Sequence, residues 1–154
     1  MKKEYNRLGI EERSLRISAI LKAPIEQVWK VWTEPDHIAK WWGPKGFTNT
    51  IHVMHLHKDG EWRLTMHGPD GTNFANRSVF REIVPFEKIV FDHFNPNFLT
   101  TVRFESNDGN TLMEWTAEFE SVELFDIVVK AHKADVGMKQ NVEKLEAYLK
   151  TLQK

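Results

Sequence analysis

The chain has 154 residues and a mass of 18.1 kDa, the size of one domain, and folding at this length hides about 68–70% of the surface that the extended chain exposes. With 21 Lys+Arg against 22 Asp+Glu the net charge is -1; no basic block is long enough to grip phosphates, so nucleic acid and membrane are poor partners. The absence of cysteine excludes disulfides, thiolate nucleophiles and the commonest structural zinc sites.

The opening MKKEYNRLGIEERSLRI carries two lysines but no apolar run. No later stretch approaches the roughly 20 apolar residues that cross a bilayer, so a soluble, cytoplasmic protein is expected. A loose arm over residues 1–12 precedes a single domain over 13–154. From Arg13 the residues alternate, placing Leu15, Ile17, Ala19 and Leu21 on one face of a half-buried strand. Pro24 suits a first helical turn, and Ile25, Val28, Trp29 and Trp32 follow at helical spacing. Pro35 restarts the pattern, and Ile38, Trp41 and Trp42 repeat it before Gly43-Pro44 ends the helix. Neighbours on a helix point about 100° apart, so one core does not readily take both indoles of the Trp41-Trp42 pair. Trp41 is expected to dock the helical pair on the sheet, leaving Trp42 turned towards the mouth of a cavity.

After Phe47 come six strand-like runs parted by short turns: 47–57, a run with Trp62, Leu64 and Met66, a run ending near Val84, 89–94, 98–105, and one with Met113, Trp115, Ala117 and Phe119. Connections this short favour antiparallel hairpins. From Leu124 to Leu152 the apolar residues fall at steps of four and three, which predicts one long helix, weakened near Asp135–Gly137. A sheet followed by a terminal helix belongs to the α+β class.

The stretches APIEQVWKVWTEPDHIAKWWGP, GEWRLTMHGPDG, NRSVFREIVPFEKIVF and VGMKQNVEKLEAYL resemble, in order, the motifs of the Hsp90-ATPase-activator-like (AHSA1) branch of the START/Bet v1-like, SRPBCC superfamily. The resemblance runs from about Arg13 to Leu152. It implies a helix-grip fold, a curved seven-stranded antiparallel sheet wrapped around the C-terminal helix over a hydrophobic cavity, with two short helices after the first strand. Met138 departs from the pattern, where a tryptophan is common after the glycine.

Strand alternation puts Trp62, Leu64, Met66, Phe91, Phe104, Trp115 and Phe119 on one sheet face, the candidate lining of that cavity. Pockets of this kind are apolar with a few polar groups. Asn76, beside Phe80, and His93, beside Phe91, are the polar candidates on the sheet; on the helix Val128 is an apolar candidate of the seam and His132 a polar one beside it, and Trp42 is the candidate at the mouth. His93 and His132 would form a proton-transfer pair if they met across the cavity. His52, His55 and His57 form H-x-x-H-x-H, but strand geometry lets at most two of them share an ion; His52, Met54 and Leu56 are expected inward and the other two in solvent. Glu82 and Glu114 read as surface ion-pairing residues, and Lys144 as part of a helix face that is either solvated or a docking face. No catalytic elbow, phosphate loop, dinucleotide fingerprint or metalloprotease helix occurs, so neither cofactor nor metal is expected.

Three functions follow from this reading. The first is sequestration of a small hydrophobic or amphipathic molecule. The second, implied by the resemblance, is interaction with an Hsp90-type chaperone. The third is a small cyclase- or hydrolase-type enzyme using the same cavity. A monomer or a weak homodimer is expected.

Overall fold

The computed structural model describes residues 10–153; positions 1–9, most of the expected arm, lie outside the described residues. A 3-10 turn at Ile10–Arg13 leads into β1 (Ser14–Leu21), followed by α1 (Ile25–Thr33) and α2 (Pro35–Ile38). Six strands come next: β2 (Thr48–Met54), β3 (Glu61–His67), β4 (Asn73–Val84), β5 (Lys88–Phe94), β6 (Phe98–Asn107) and β7 (Asn110–Phe119). The chain ends in α3 (Val122–Asp126), a π-helical turn at Ile127–Ala131, and α4 (Ala134–Leu152).

The strands form one antiparallel sheet in the order β1-β7-β6-β5-β4-β3-β2, with β1 and β2 at its margins. Register carries the alternation across the sheet: Ile17 faces Trp115, which faces Val102, which faces Ile89. All four lie on the inner face. Phe80, Phe91, Thr100 and Ala117 form a parallel inner row. Val28, Val31 and Trp32 of α1, at i, i+3 and i+4, and Val142, Leu145 and Leu149 of α4 close the core over this face.

Three expectations need correction. First, α2 stops at Ile38, so Trp41 and Trp42 stand on the turn beyond it, although the Trp42 N–H still reaches the Ile38 carbonyl at 3.0 Å. Gly43 has φ +93°, and the proline after it disfavours the helical region, so the turn cannot propagate. Second, the C-terminal helix is broken at His132–Lys133, where Lys133 takes a left-handed φ of 53°, not at Gly137. The π turn adds a residue and shifts the phase of the seam. Third, β2 carries a bulge between Ile51 and Val53. One extra residue reverses the alternation, so Ile51 and Met54 pack inward while His52 points outward and bonds the Thr65 hydroxyl at 2.8 Å.

Candidate functional site

All six tryptophans meet in one aromatic network over the inner face. Trp32 of α1 packs edge-on against Trp41 at 4.8 Å, Trp115 at 5.2 Å and Phe104 at 5.9 Å between ring centres. Trp29 reaches Phe104 at 5.8 Å. From the far side, Trp62 stacks on Phe80 at 5.6 Å and meets Phe91 edge-on at 5.2 Å. Edge-to-face and offset arrangements of this kind match the ring quadrupoles.

Trp42 stands between these two groups. Its indole stacks on Trp115 at 5.5 Å and 18°, and touches Trp62 at 5.1 Å, Trp41 at 5.6 Å, Trp32 at 5.8 Å and Phe91 at 6.3 Å. The adjacent indoles have divided the labour. Trp41 is fully buried and its Nε1–H donates to the Val31 carbonyl at 3.0 Å, locking the α2 turn to α1. Trp42 remains half-buried, within the aromatic set but not closed off from solvent.

Residues 41–47 carry Trp42, and they are held by side-chain hydrogen bonds. Asn141 of α4 donates to the Trp41 carbonyl at 2.8 Å and accepts from the Gly43 N–H at 3.1 Å. The Lys144 ammonium donates to the carbonyls of Trp42, Pro44 and Phe47 at 3.2, 3.2 and 3.0 Å. From β2, Asn49 donates to the carbonyls of Ala39 and Trp42 at 3.2 and 2.8 Å. Tyr148, one turn beyond Lys144, bonds His37 of α2 at 2.7 Å. The loop therefore bridges α4 and the β3–β4 hairpin, with Phe47 on Phe74 at 5.9 Å.

Burial lowers the Lys144 pKa from its ordinary 10.5. A lowered lysine pKa means that folding binds the proton less tightly, so its contribution to stability grows as pH rises from the lowered value towards 10.5. Lys144→Met should cost about 1–2 kcal/mol near neutral pH, since the site is only partly buried and one charged donor serves three carbonyls. The deficit against wild type should widen at alkaline pH. Urea midpoints at two pH values check this, and amide exchange should speed up over residues 41–47.

A second expected outcome concerns Gly43. A Cβ added there would lie 2.7 Å from the Met66 methyl, on a backbone with φ +93°. Gly43→Ala should therefore destabilise by more than about 1 kcal/mol, measured by chemical denaturation.

The other expected lining residues divide. Trp62, Leu64, Phe80, Phe91, Phe104 and Trp115 are buried in the main cluster, with Met66 partly buried at its edge. Phe119 belongs to a second patch, between Phe98 at 5.2 Å and Phe125 of α3 at 5.8 Å. His93 stacks on that Phe98 at 4.4 Å; its Nε2 meets Asn76 Oδ1 at 2.8 Å and its Nδ1 the Pro96 carbonyl at 2.9 Å. Val128 is half-buried on the π turn and stands outside the main cluster. His132 is exposed, because the phase shift carries it off the seam. His93 and His132 are thus not brought together.

His55 and His57 are exposed with stacked rings 6.1 Å apart. Glu82 pairs with Lys88 at 3.0 Å and Glu114 is exposed on the outer face. Lys144 is the clearest residue that periodicity misplaced: it caps the loop and is no free member of a solvated face. Asn141 was missed as well. Its signal was a polar residue at i+3 from Met138, beside Val142 in an apolar seam.

On the opposite face of the sheet, β4 and β5 frame an open depression of about 1010 Å³ bordered by Asp59, Arg77, Arg81, Glu82 and Phe94. At its base Arg81 donates to Asp92 at 2.8 Å and to Asp59 at 3.0 Å. Burial opposes the guanidinium charge, but the hydrogen bonds and charges of Asp92 and Asp59 outweigh it and raise the Arg81 pKa. A further depression of about 430 Å³ lies by Lys88, Arg103 and Glu114.

A seven-stranded antiparallel sheet closed on one face by a C-terminal helix and by two short helices after β1 is the helix-grip arrangement of Bet v1-like proteins. The family model described as "Activator of Hsp90 ATPase homolog 1-like protein" (AHSA1) matches residues 22–150, and the chain belongs to that family. Among solved structures, a protein from Arthrobacter aurescens is 25% identical with a TM-score of 0.86, covering 92% of this chain and 88% of its own. A Mycobacterium smegmatis protein is 21% identical with a TM-score of 0.82, covering 99% of both chains. An AHSA1-like protein from Aeromonas hydrophila is 21% identical with a TM-score of 0.75, over 90% of this chain and 93% of that one. No functionally curated protein matches the sequence. No helix among the described residues is long and apolar enough to cross a membrane.

Proposed function

We propose that the protein binds a small, largely apolar molecule between the aromatic inner face of the sheet and α4, and that residues 41–47 form the cover of this site. The observation that carries the reading is Trp42: a half-buried indole lodged between Trp115 and Trp62, on a loop tied down by polar bonds. Such a ring is a removable part of the packing. The loop's backbone bonds to Asn141, Lys144 and Asn49 can be exchanged for bonds to water, each at a cost of about 0.5–1.5 kcal/mol, the contribution of a typical intramolecular hydrogen bond. A ligand that replaces the indole recovers the stack on Trp115. The family fold, which commonly encloses ligands, supports the same reading.

The lining of this site is Trp62, Leu64, Phe80, Phe91, Phe104 and Trp115, with Met66 at the rim beneath Gly43. Native mass spectrometry and tryptophan fluorescence with naphthalene-sized probes test the proposal. Binding should quench the indole emission and raise the melting temperature; no binding to wild type or to a variant lacking the Trp42 ring removes the idea.

The family match keeps an Hsp90-type chaperone as a second partner. A pull-down and an ATPase assay with the cognate chaperone decide that reading. No binding and no stimulation removes it.

A further inference from the structure

The aromatic cluster contains two polar groups whose chemistry is one-sided. Trp32 and Trp62 are each 2% exposed. Their Nε1–H groups find no hydrogen-bond acceptor among the described residues, unlike that of Trp41, which reaches the Val31 carbonyl. An indole N–H can only donate, and a buried donor without an acceptor is rare in folded proteins. Both rings touch Trp42, at 5.8 and 5.1 Å between ring centres, so the two indoles help to wall the space that the Trp42 ring fills. Thr100, in the same inner row as Phe91, adds a hydroxyl that is likewise buried without a partner, and Asn49 adds an amide oxygen beneath the cover. The cation beside the cover, the Lys144 ammonium, is already engaged by the carbonyls of Trp42, Pro44 and Phe47.

Resting on the ligand-binding reading above, we infer that the site selects an uncharged molecule whose flat apolar body carries a hydrogen-bond acceptor, such as a carbonyl or ether oxygen, which Trp62 or Trp32 engages through Nε1–H. The flat body takes the place of the Trp42 ring against Trp115. The acceptor satisfies a donor that Trp42, itself a donor, leaves unmet. A carboxylate of the same shape is disfavoured, because the Lys144 ammonium is held by three loop carbonyls and does not compensate the carboxylate's loss of water.

Three probes with one carbon skeleton separate these statements: ethylnaphthalene, acetylnaphthalene and naphthoate, each titrated into the wild-type protein. The ketone should bind about tenfold more tightly than the hydrocarbon, the value of one good hydrogen bond, and naphthoate most weakly. In nitrogen-15 spectra the Trp62 or Trp32 indole N–H should move downfield with the ketone and not with the hydrocarbon. Trp62→Phe and Trp32→Phe assign those signals and should lower the ratio of ketone to hydrocarbon affinity, the quantity that reads the hydrogen bond apart from any change in apolar contact. Should either variant fail to fold, the wild-type titrations decide alone. Equal affinities for ketone and hydrocarbon, with no differential shift, overturn the acceptor rule and leave the site standing. Tightest binding by naphthoate overturns its neutrality. If none of the three binds, the site itself falls and the rule with it.

Discussion

Trp42→Ala should weaken the fold and strengthen binding at the same time. Removing a tryptophan from a packed cluster costs about 3–5 kcal/mol, and the half-buried position of Trp42 puts it near the lower figure. Lost with the ring are the stack on Trp115 and edge contacts to Trp32, Trp41 and Trp62. The emptied volume no longer has to be vacated before a probe can enter. If the open state is the minor one in wild type, apparent affinity is reduced by the fraction that is open, and deleting the ring removes that penalty. An apolar probe such as naphthalene should therefore bind at least about tenfold more tightly to the variant. Denaturation and fluorescence titration read the two effects separately. A variant that is destabilised yet binds no more tightly would show that Trp42 is fixed core and no door.

The other large effect lies on the far side of the sheet. Asp92→Ala should cost about 3–5 kcal/mol, because it takes from Arg81 its most buried carboxylate partner. The side chain of Asp92 is 1% exposed and that of Arg81 6%, whereas Asp59, the second carboxylate, is 63% exposed and holds the guanidinium only from solvent's edge. The diagnostic comparison is a double replacement, Arg81→Met with Asp92→Leu. It should recover most of the loss, since two apolar groups leave no uncompensated charge inside. If the single and double variants are equally unstable in urea, the damage comes from packing and not from a stranded charge.

Much of the fold was legible because its periods are simple. Strands β1, β3, β5, β6 and β7 alternate cleanly, and the alternation named Trp62, Leu64, Phe91, Phe104 and Trp115 as inner residues. His52 was misplaced because a bulge inserts one residue without any change in composition, and every side chain before it then changes face. His132 was misplaced for the helical counterpart of that reason, a π turn within an otherwise continuous apolar stripe. The anchors of the loop were illegible on different grounds. Lys144 and Asn141 take backbone carbonyls about a hundred positions away, and a carbonyl is present at every residue, so side-chain patterns give no hint of which ones are chosen. The Trp41-Trp42 doublet did raise the right question. Its answer depended on the Val31 carbonyl, which fixed one ring and released the other.

The bulge in β2 also has a consequence beyond the single chain. β2 is a margin of the sheet, and a margin presents a row of backbone donors and acceptors to any passing strand. A straight incoming strand would keep step as far as Ile51 and lose it at His52, where two residues occupy the length of one. Steady pairing would be confined to a few residues on either side, too few to seed a growing stack of molecules. The same irregularity that turns a histidine outward thus helps keep the protein from polymerising along that edge.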